Sequence, residues 1–116
     1  MKVPKAHPLT GLAPAFKALS DPTRLRLLNL LSEGEVCVCH LGEALRIVQP
    51  KVSRHLACLK KAGLVAARRD GLWIHYRWAE PSNAVVRDTM KALRRGLSSD
   101  AALTAERARL KKACCK

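Results

Sequence analysis

The chain is poor in acidic residues, in aromatics and in long apolar runs. Only 9 aspartates and glutamates stand against 22 lysines and arginines, a formal charge of +13 over 116 residues. That deficit excludes an acidic or neutral surface and points to a polyanionic partner, nucleic acid or anionic lipid. A lipid partner requires an apolar span or a basic amphipathic anchor. The longest uncharged stretch near the start, Ala6 to Phe16, falls far short of the ~20 residues that cross a bilayer. It also holds two prolines and no small-residue cleavage site, so it is a poor secretory signal. The expectation is a cytoplasmic protein with no membrane partner. No internal repeat is visible, and the length fits one domain. A chain this short buries a modest share of its surface and often recruits a second subunit.

Start and stop signals divide the chain. Residues 1–8, with Pro4, Pro8 and two lysines, read as a flexible arm. A helix is expected from about Leu9 to Leu19, with Leu12, Phe16 and Leu19 on one stripe. Ser20-Asp21-Pro22 restarts the chain as a second helix, since Ser20 or Asp21 can cap it and Pro22 suits its first position. That helix carries Leu25, Leu28 and Leu31 on one face and ends at Gly34. Val36 to Leu45 is expected to be a third, short helix whose start holds two cysteines, and Val48-Gln49-Pro50 opens a fourth over residues 50–62. Val52, Leu56 and Leu59 face inward there, and Gly63 stands where a left-handed cap belongs. Leu64 to Arg69 and Leu72 to Arg77 flank Asp70-Gly71, a hairpin turn signature, and the cluster of Trp73, Tyr76 and Trp78 predicts that the hairpin packs on the helices. After Pro81 a last long helix, about Ser82 to Leu97, carries Val86, Met90, Leu93 and Leu97 in a heptad-like seam. The expected class is mostly α with a β-hairpin, a winged helix-turn-helix over residues 9–97. Its dimer interface is helical, built from Leu12, Phe16, Val86, Met90, Leu93 and Leu97. Residues 98–116 read as a basic, cysteine-containing tail, alanine- and charge-rich and able to form a helix, but with little apolar surface to dock one.

Charge concentrates on the two elements that would meet DNA. Between Arg46 and Arg77 lie eight basic residues and one acid, Asp70, a formal +7. A basic helix alone is commonly just a solvated face, but a second basic element at a hairpin makes double-stranded operator DNA the expected partner. Gln49, Ser53 and Arg54 sit near the amino end of the 50–62 helix, the end that meets base edges in this geometry. Gln and Arg carry forked groups suited to adenine and guanine edges. Lys51, Lys60 and Lys61 are placed for phosphates, which position without specifying. Arg68 and Arg69 precede the wing tip and are expected to reach a minor groove or its phosphates. His55 reads two ways, as a base or phosphate contact or as a residue packed at the helix interface.

The run EVCVCHLGEAL is the second informative stretch. The five cysteines form an odd, unevenly spaced set, a poor disulfide framework. Thiolates favour soft ions, so Cys37, Cys39 and a third sulfur would make a three-sulfur site. On an intact helix, residues two apart point about 200° apart. Joint capture of an ion is therefore expected to require distortion of the first turn, spoiling the reading helix a few residues on. His40 and Glu35 are harder candidate ligands, or simply polar residues at a helix start. Cys114 and Cys115 are candidate further ligands if the tail folds back. Cys58 is either a small apolar residue or a ligand.

The runs SDPTRLRLLNLLSEGEVCVCHL, QPKVSRHLACLKKAGLV and DGLWIHYR, in this order, closely resemble the ArsR/SmtB family of metalloregulatory repressors, in particular its arsenic-responsive branch. The resemblance covers about residues 10–97. It implies a homodimeric winged-helix repressor that binds an operator upstream of resistance genes and leaves it when an inducer binds. The family's Cys-Val-Cys arsenic motif falls on Cys37 and Cys39. Some members carry a further cysteine three residues on, where this chain has Gly42, so the third ligand must be Cys114, Cys115, Cys58 or a non-sulfur group. The zinc-sensing branch uses carboxylate and histidine ligands on the last helix, whereas residues 82–97 offer Asp88 and no histidine. The resemblance thus implies trivalent arsenic (arsenite or a methylated form) or antimonite as inducer and no organic cofactor. Cadmium and lead sensors add cysteines near the amino terminus, and this arm has none. Alternatives are a repressor sensing cadmium, lead or oxidants, a basic soft-metal scavenger, and a thiol enzyme such as an arsenate reductase. The last would want a Cys-x-x-Cys or a phosphate-cradling loop beside a βαβ unit, both absent.

Overall fold

The computed structural model describes residues 7–114, with the side chain of Cys114 outside the description. The expectations for residues 1–6 and Cys115 therefore lie outside the described residues. Six helices and three strands follow in the order α1 (Pro8–Leu19), α2 (Pro22–Leu30), β1 (Val36–Cys37), α3 (Val38–Leu45), α4 (Gln49–Lys61), β2 (Val65–Asp70), β3 (Trp73–Trp78), α5 (Ala84–Ser98) and α6 (Ala101–Cys114). Asp21 caps α2 by accepting from the Arg24 amide at 3.0 Å, and Pro22 opens the helix as the sequence indicates. The core is leucine-rich: Leu27, Leu28, Leu30, Leu31, Leu41, Leu56, Leu59 and Leu64 are all fully buried.

Four expectations change. First, Val36 and Cys37 do not begin a helix but form a short strand, so the sheet has three antiparallel strands in the order β1-β3-β2. Val36 pairs with Tyr76 and Cys37 with His75. A two-residue strand carries no readable alternation, which is why the hairpin looked two-stranded in sequence. Second, the turn is Gly71-Leu72, one residue later than expected, because Asp70 pairs with Trp73. Gly71 adopts φ 61° at the first central position, a conformation only glycine enters freely. Third, the inward face of α2 centres on Leu27 and Leu28, while Leu25 is half-buried. Fourth, residues 101–114 are a docked helix. Here α6 packs along α2 and α3 and buries Leu110 and Ala113.

Polar anchors explain how a helix so poor in large apolar side chains docks. Glu106, largely buried, accepts from Arg26 of α2 and from Arg109. Asn29, fully buried on α2, donates to the carbonyl of Leu103 at 3.0 Å and accepts from Arg107. The wing is tied in similarly. The Trp78 indole N–H donates to the Leu28 carbonyl at 2.8 Å, and Arg94 of α5 lies over its ring, 5.2 Å from the centre. Among the described residues no helix is long and apolar enough to cross a membrane.

Candidate nucleic-acid interface and thiol site

The reading face forms as a consequence of the burial on its other side. Val52, Leu56 and Leu59 are fully buried, which turns Gln49, Lys51, Arg54, Lys60 and Lys61 to solvent, with Ser53 half-buried at the edge. Pro50 lies in the first turn of α4, where its missing N–H costs nothing. His55 points inward instead. It is half-buried with Nδ1 3.8 Å from Oδ2 of Asp21, at the cap of α2, so the structure places it at the helix interface rather than on the reading face.

The wing arginines separate. Arg69 is exposed, as expected for a wing contact. Arg68 is engaged: its guanidinium grips the Glu35 carboxylate, with Nη2 2.6 Å and Nε 3.2 Å from its oxygens. That contact holds the Glu35 carboxyl below its usual range, the Arg68 hydrogen bond being the main cause. Arg68, His75 and Cys37 occupy one cross-strand row of the sheet, and His75 Nδ1 is 4.0 Å from Glu35. Glu35, considered in sequence as a hard ligand, is thus the residue that fastens the wing to β1. The two residues lie 33 apart in the chain, so spacing gave no sign of the pair.

The thiol geometry overturns the expectation that Cys37 and Cys39 point apart. Cys37 is not helical. It is the N-cap of α3, with φ −68° and ψ 140°, and from that extended position its sulfur meets Cys39 Sγ at 3.1 Å. Two sulfurs on one ion at about 2.3 Å each stand about 3.3–3.8 Å apart for bond angles of about 90–110°. The pair therefore fits a thiophilic ion with only a small adjustment. Burial, and then the neighbouring Cys37 sulfur, push the Cys39 thiol above its usual range. Among the described residues, no group of three His, Cys, Asp or Glu side chains is gathered to hold a metal. Neither His40, Glu35 nor Cys58 completes the set within one chain. Cys114 and Cys115 cannot be placed as ligands, since their side chains lie outside the description. Ala113, just before them, lies in a groove with Glu43, Ala44 and Arg46 at the end of α3.

The two sites share one segment. A shallow groove of about 350 Å³ runs from Cys39 past Gly42, Arg46 and Val48 to Gln49, the first residue of α4. Its floor is the α3–α4 turn, closed by the Ile47 amide on the Gly42 carbonyl at 3.1 Å, with Arg46 left-handed at φ 57°.

The expected dimer seam is split. Val86 and Met90 are 3% exposed within the single chain, so they belong to its own core. Leu12, Leu93 and Leu97 are half-buried. Phe16 is 52% exposed, and Leu9 and Val85, which were not singled out in sequence, are 47% and 42% exposed on α1 and α5, helices that pack together.

Residues 21–67 match the family described as bacterial regulatory protein, arsR family. Over 113 residues the chain is 42% identical to the arsenic resistance transcriptional regulator ArsR1 of Pseudomonas putida, covering 89% of this chain and 86% of that one. It is 57% identical over 63 residues to the arsenical resistance operon repressor of Escherichia coli, covering 53% of this chain and 54% of that protein. Among solved structures, a homodimeric winged helix-turn-helix DNA-binding domain from Mycobacterium bovis superposes with a TM-score of 0.69 at 32% identity, over 84% of this chain and 88% of that one. The chain therefore belongs to the arsR family of bacterial regulatory proteins, and it is a winged helix-turn-helix transcriptional repressor rather than an enzyme.

Proposed function

We propose that this repressor, as a homodimer, holds operator DNA with α4 and the wing and releases it when trivalent arsenic is captured by Cys37 and Cys39. The observation that carries the reading is the 3.1 Å approach of the two sulfurs at the amino end of α3. A soft, thiophilic ligand is the chemistry that such a donor pair selects. Arsenical regulation also stands in the names of two relatives, one aligned over most of both chains.

Because the pair is already assembled, bringing two sulfurs together does little to disturb the DNA-binding state. The third ligand must do more. The packing of α6 on α3 supports Cys114 or Cys115 in that role, since closure onto the pair would pull on both ends of α3. The Cys39–Gln49 groove supplies the path, because displacement of α3 moves the turn on which α4 begins. Moving the operator-bound fraction from 99:1 to 1:99 requires a preference of about 5.5 kcal/mol for the released state. Several sulfur–arsenic bonds formed only in that state can supply it.

Gel shifts with operator DNA test the reading. Arsenite is expected to release the wild type, while Cys37→Ser and Cys39→Ser bind operator as before and ignore arsenite. Release by hydrogen peroxide but not arsenite would overturn the proposal in favour of oxidant sensing. Arsenic X-ray absorption on the wild type and the Cys114→Ser/Cys115→Ser variant addresses the third ligand, with loss of one As–S bond expected in the variant. Antimonite is expected to act at the same pair.

A further inference from the structure

Cys58 takes no part in the thiol pair, yet it sits in a built environment. It lines a cavity of about 440 Å³ between α1, α2 and α4, within the ~300–1,000 Å³ typical of small-molecule sites. Lys17 from α1, Arg24 from α2 and Lys61 from α4 line the same cavity, with Pro14 and Ala62 as apolar wall, and no acidic side chain lines it. Arg24 Nη1 donates to Cys58 Sγ at 2.8 Å, while the buried Arg24 Nε has no hydrogen-bond partner. The nearby carboxylate of Asp21 is occupied by the Arg24 amide and faces His55. Arg24 therefore holds the sulfur directly, and Lys17 and Lys61 line the cavity on which it opens.

We propose that Cys58 is a modification site for anionic low-molecular-weight disulfides, carboxylate-bearing molecules of the glutathione disulfide class. Lys17 and Lys61 attract the carboxylates, and Arg24 meets the charge developing on sulfur during exchange. The Cys58 proton passes to solvent and the sulfur attacks one sulfur of the disulfide. A new S–S bond forms as the old one breaks, and the departing thiolate takes up a proton from water. No net oxidant is needed beyond the disulfide itself. The adduct places a bulky, negatively charged group against the inner face of α4, one turn before Lys61. Operator affinity falls, by a route that does not use the metalloid pair.

The test uses the full chain with Cys37, Cys39, Cys114 and Cys115 changed to Ser, leaving Cys58 as its single thiol. Its reaction with oxidised glutathione is compared with that of the neutral bis(2-hydroxyethyl) disulfide. The anionic reagent is expected to react about tenfold faster or more, as electrostatic steering permits. Lys17→Glu should erase most of that preference. Operator affinity should drop about tenfold on modification, as phosphate contacts weaken, and return with reductant. Peptide mass mapping of the oxidised wild type, with the adduct expected on the Cys58 peptide, covers the case in which the four-serine variant fails to fold. Equal rates for both reagents, an unmodified Cys58, or an adduct without effect on DNA would each overturn the proposal. Arsenite release from the wild type is scored separately, so the two readings fail independently.

Discussion

At Gly42 a Cβ would stand 3.0 Å from the Ile47 carbonyl oxygen and 3.8 Å from Val52 Cγ2. The obstruction is backbone, and it belongs to the turn that sets the start of α4. Two effects compete in Gly42→Ala. Helix propensity gains about 1 kcal/mol, while crowding a packed site costs about 1–3 kcal/mol. A turn pinned by the Ile47–Gly42 hydrogen bond yields little, so crowding wins and a net loss of about 1 kcal/mol is expected in urea unfolding, with weaker operator binding. Gly42→Cys, which would restore the further cysteine of some related sensors, carries the same penalty. Asp21 gives a second prediction at this scale. Its carboxyl lies below the usual range, chiefly because the Arg24 amide donates to it. A depressed carboxyl contributes stability that is full above the unfolded value near 4 and is lost as pH falls through the folded value. Asp21→Ala is expected to cost about 1 kcal/mol at neutral pH. The gap from wild type should close as pH falls below the unfolded value near 4, as measured by urea unfolding across pH.

Among the elements, α6 is held by polar contacts more than by apolar area. Arg107→Ala would leave the buried Asn29 Oδ1 without its donor. An orphaned buried acceptor costs about 1–3 kcal/mol. Lower stability is expected, with amide exchange faster in residues 101–114 than elsewhere. If the exchange of α6 is unchanged, the Arg107–Asn29 contact does not dock the helix. Legibility follows the same divide between local and distant determinants. The caps, the buried stripe of α4 and the wing were readable because each is written within a few residues: Asp21-Pro22, Val52/Leu56/Leu59, a glycine between two alternating runs. Strand β1 and the docking of α6 were not, since one rests on pairing with residues 75 and 76 and the other on partners 74 to 80 residues away. The thiol pair was found by its residue types but misjudged in geometry. A single extended residue, Cys37 at the N-cap, turned two opposed side chains into a 3.1 Å contact. Arg68 was half legible for a similar reason: its charge was visible in sequence, its partner Glu35 was not.

For the whole molecule, charge and the exposed apolar face lead to one joint prediction. Leu9, Phe16 and Val85 leave apolar surface open on α1 and α5, and Asn83, the N-cap of α5, donates to the Pro8 carbonyl at 2.8 Å, fixing the two helices together as one face. A second copy of the chain is the occupant that the proposed homodimer assigns to it. Phe16→Glu would place a charge there and is expected to shift the protein to monomer in sedimentation at micromolar concentration. Its effect on DNA can be told apart from simple misfolding. Phosphate contacts set the salt slope, about −0.9 per phosphate neutralised, so a dimer touching 6–10 phosphates should show a slope of about −5 to −9. Wild-type affinity would then fall on the order of 10³–10⁵ between 50 and 200 mM salt. A folded monomer engages one half-site and half the phosphates, so the Phe16→Glu slope should be about half that of the wild type. An unfolded variant would instead lose its cooperative melting transition. Retention of both the dimer and the full slope in Phe16→Glu would place the subunit interface elsewhere, because a glutamate at the centre of a dry apolar contact cannot be accommodated without a partner.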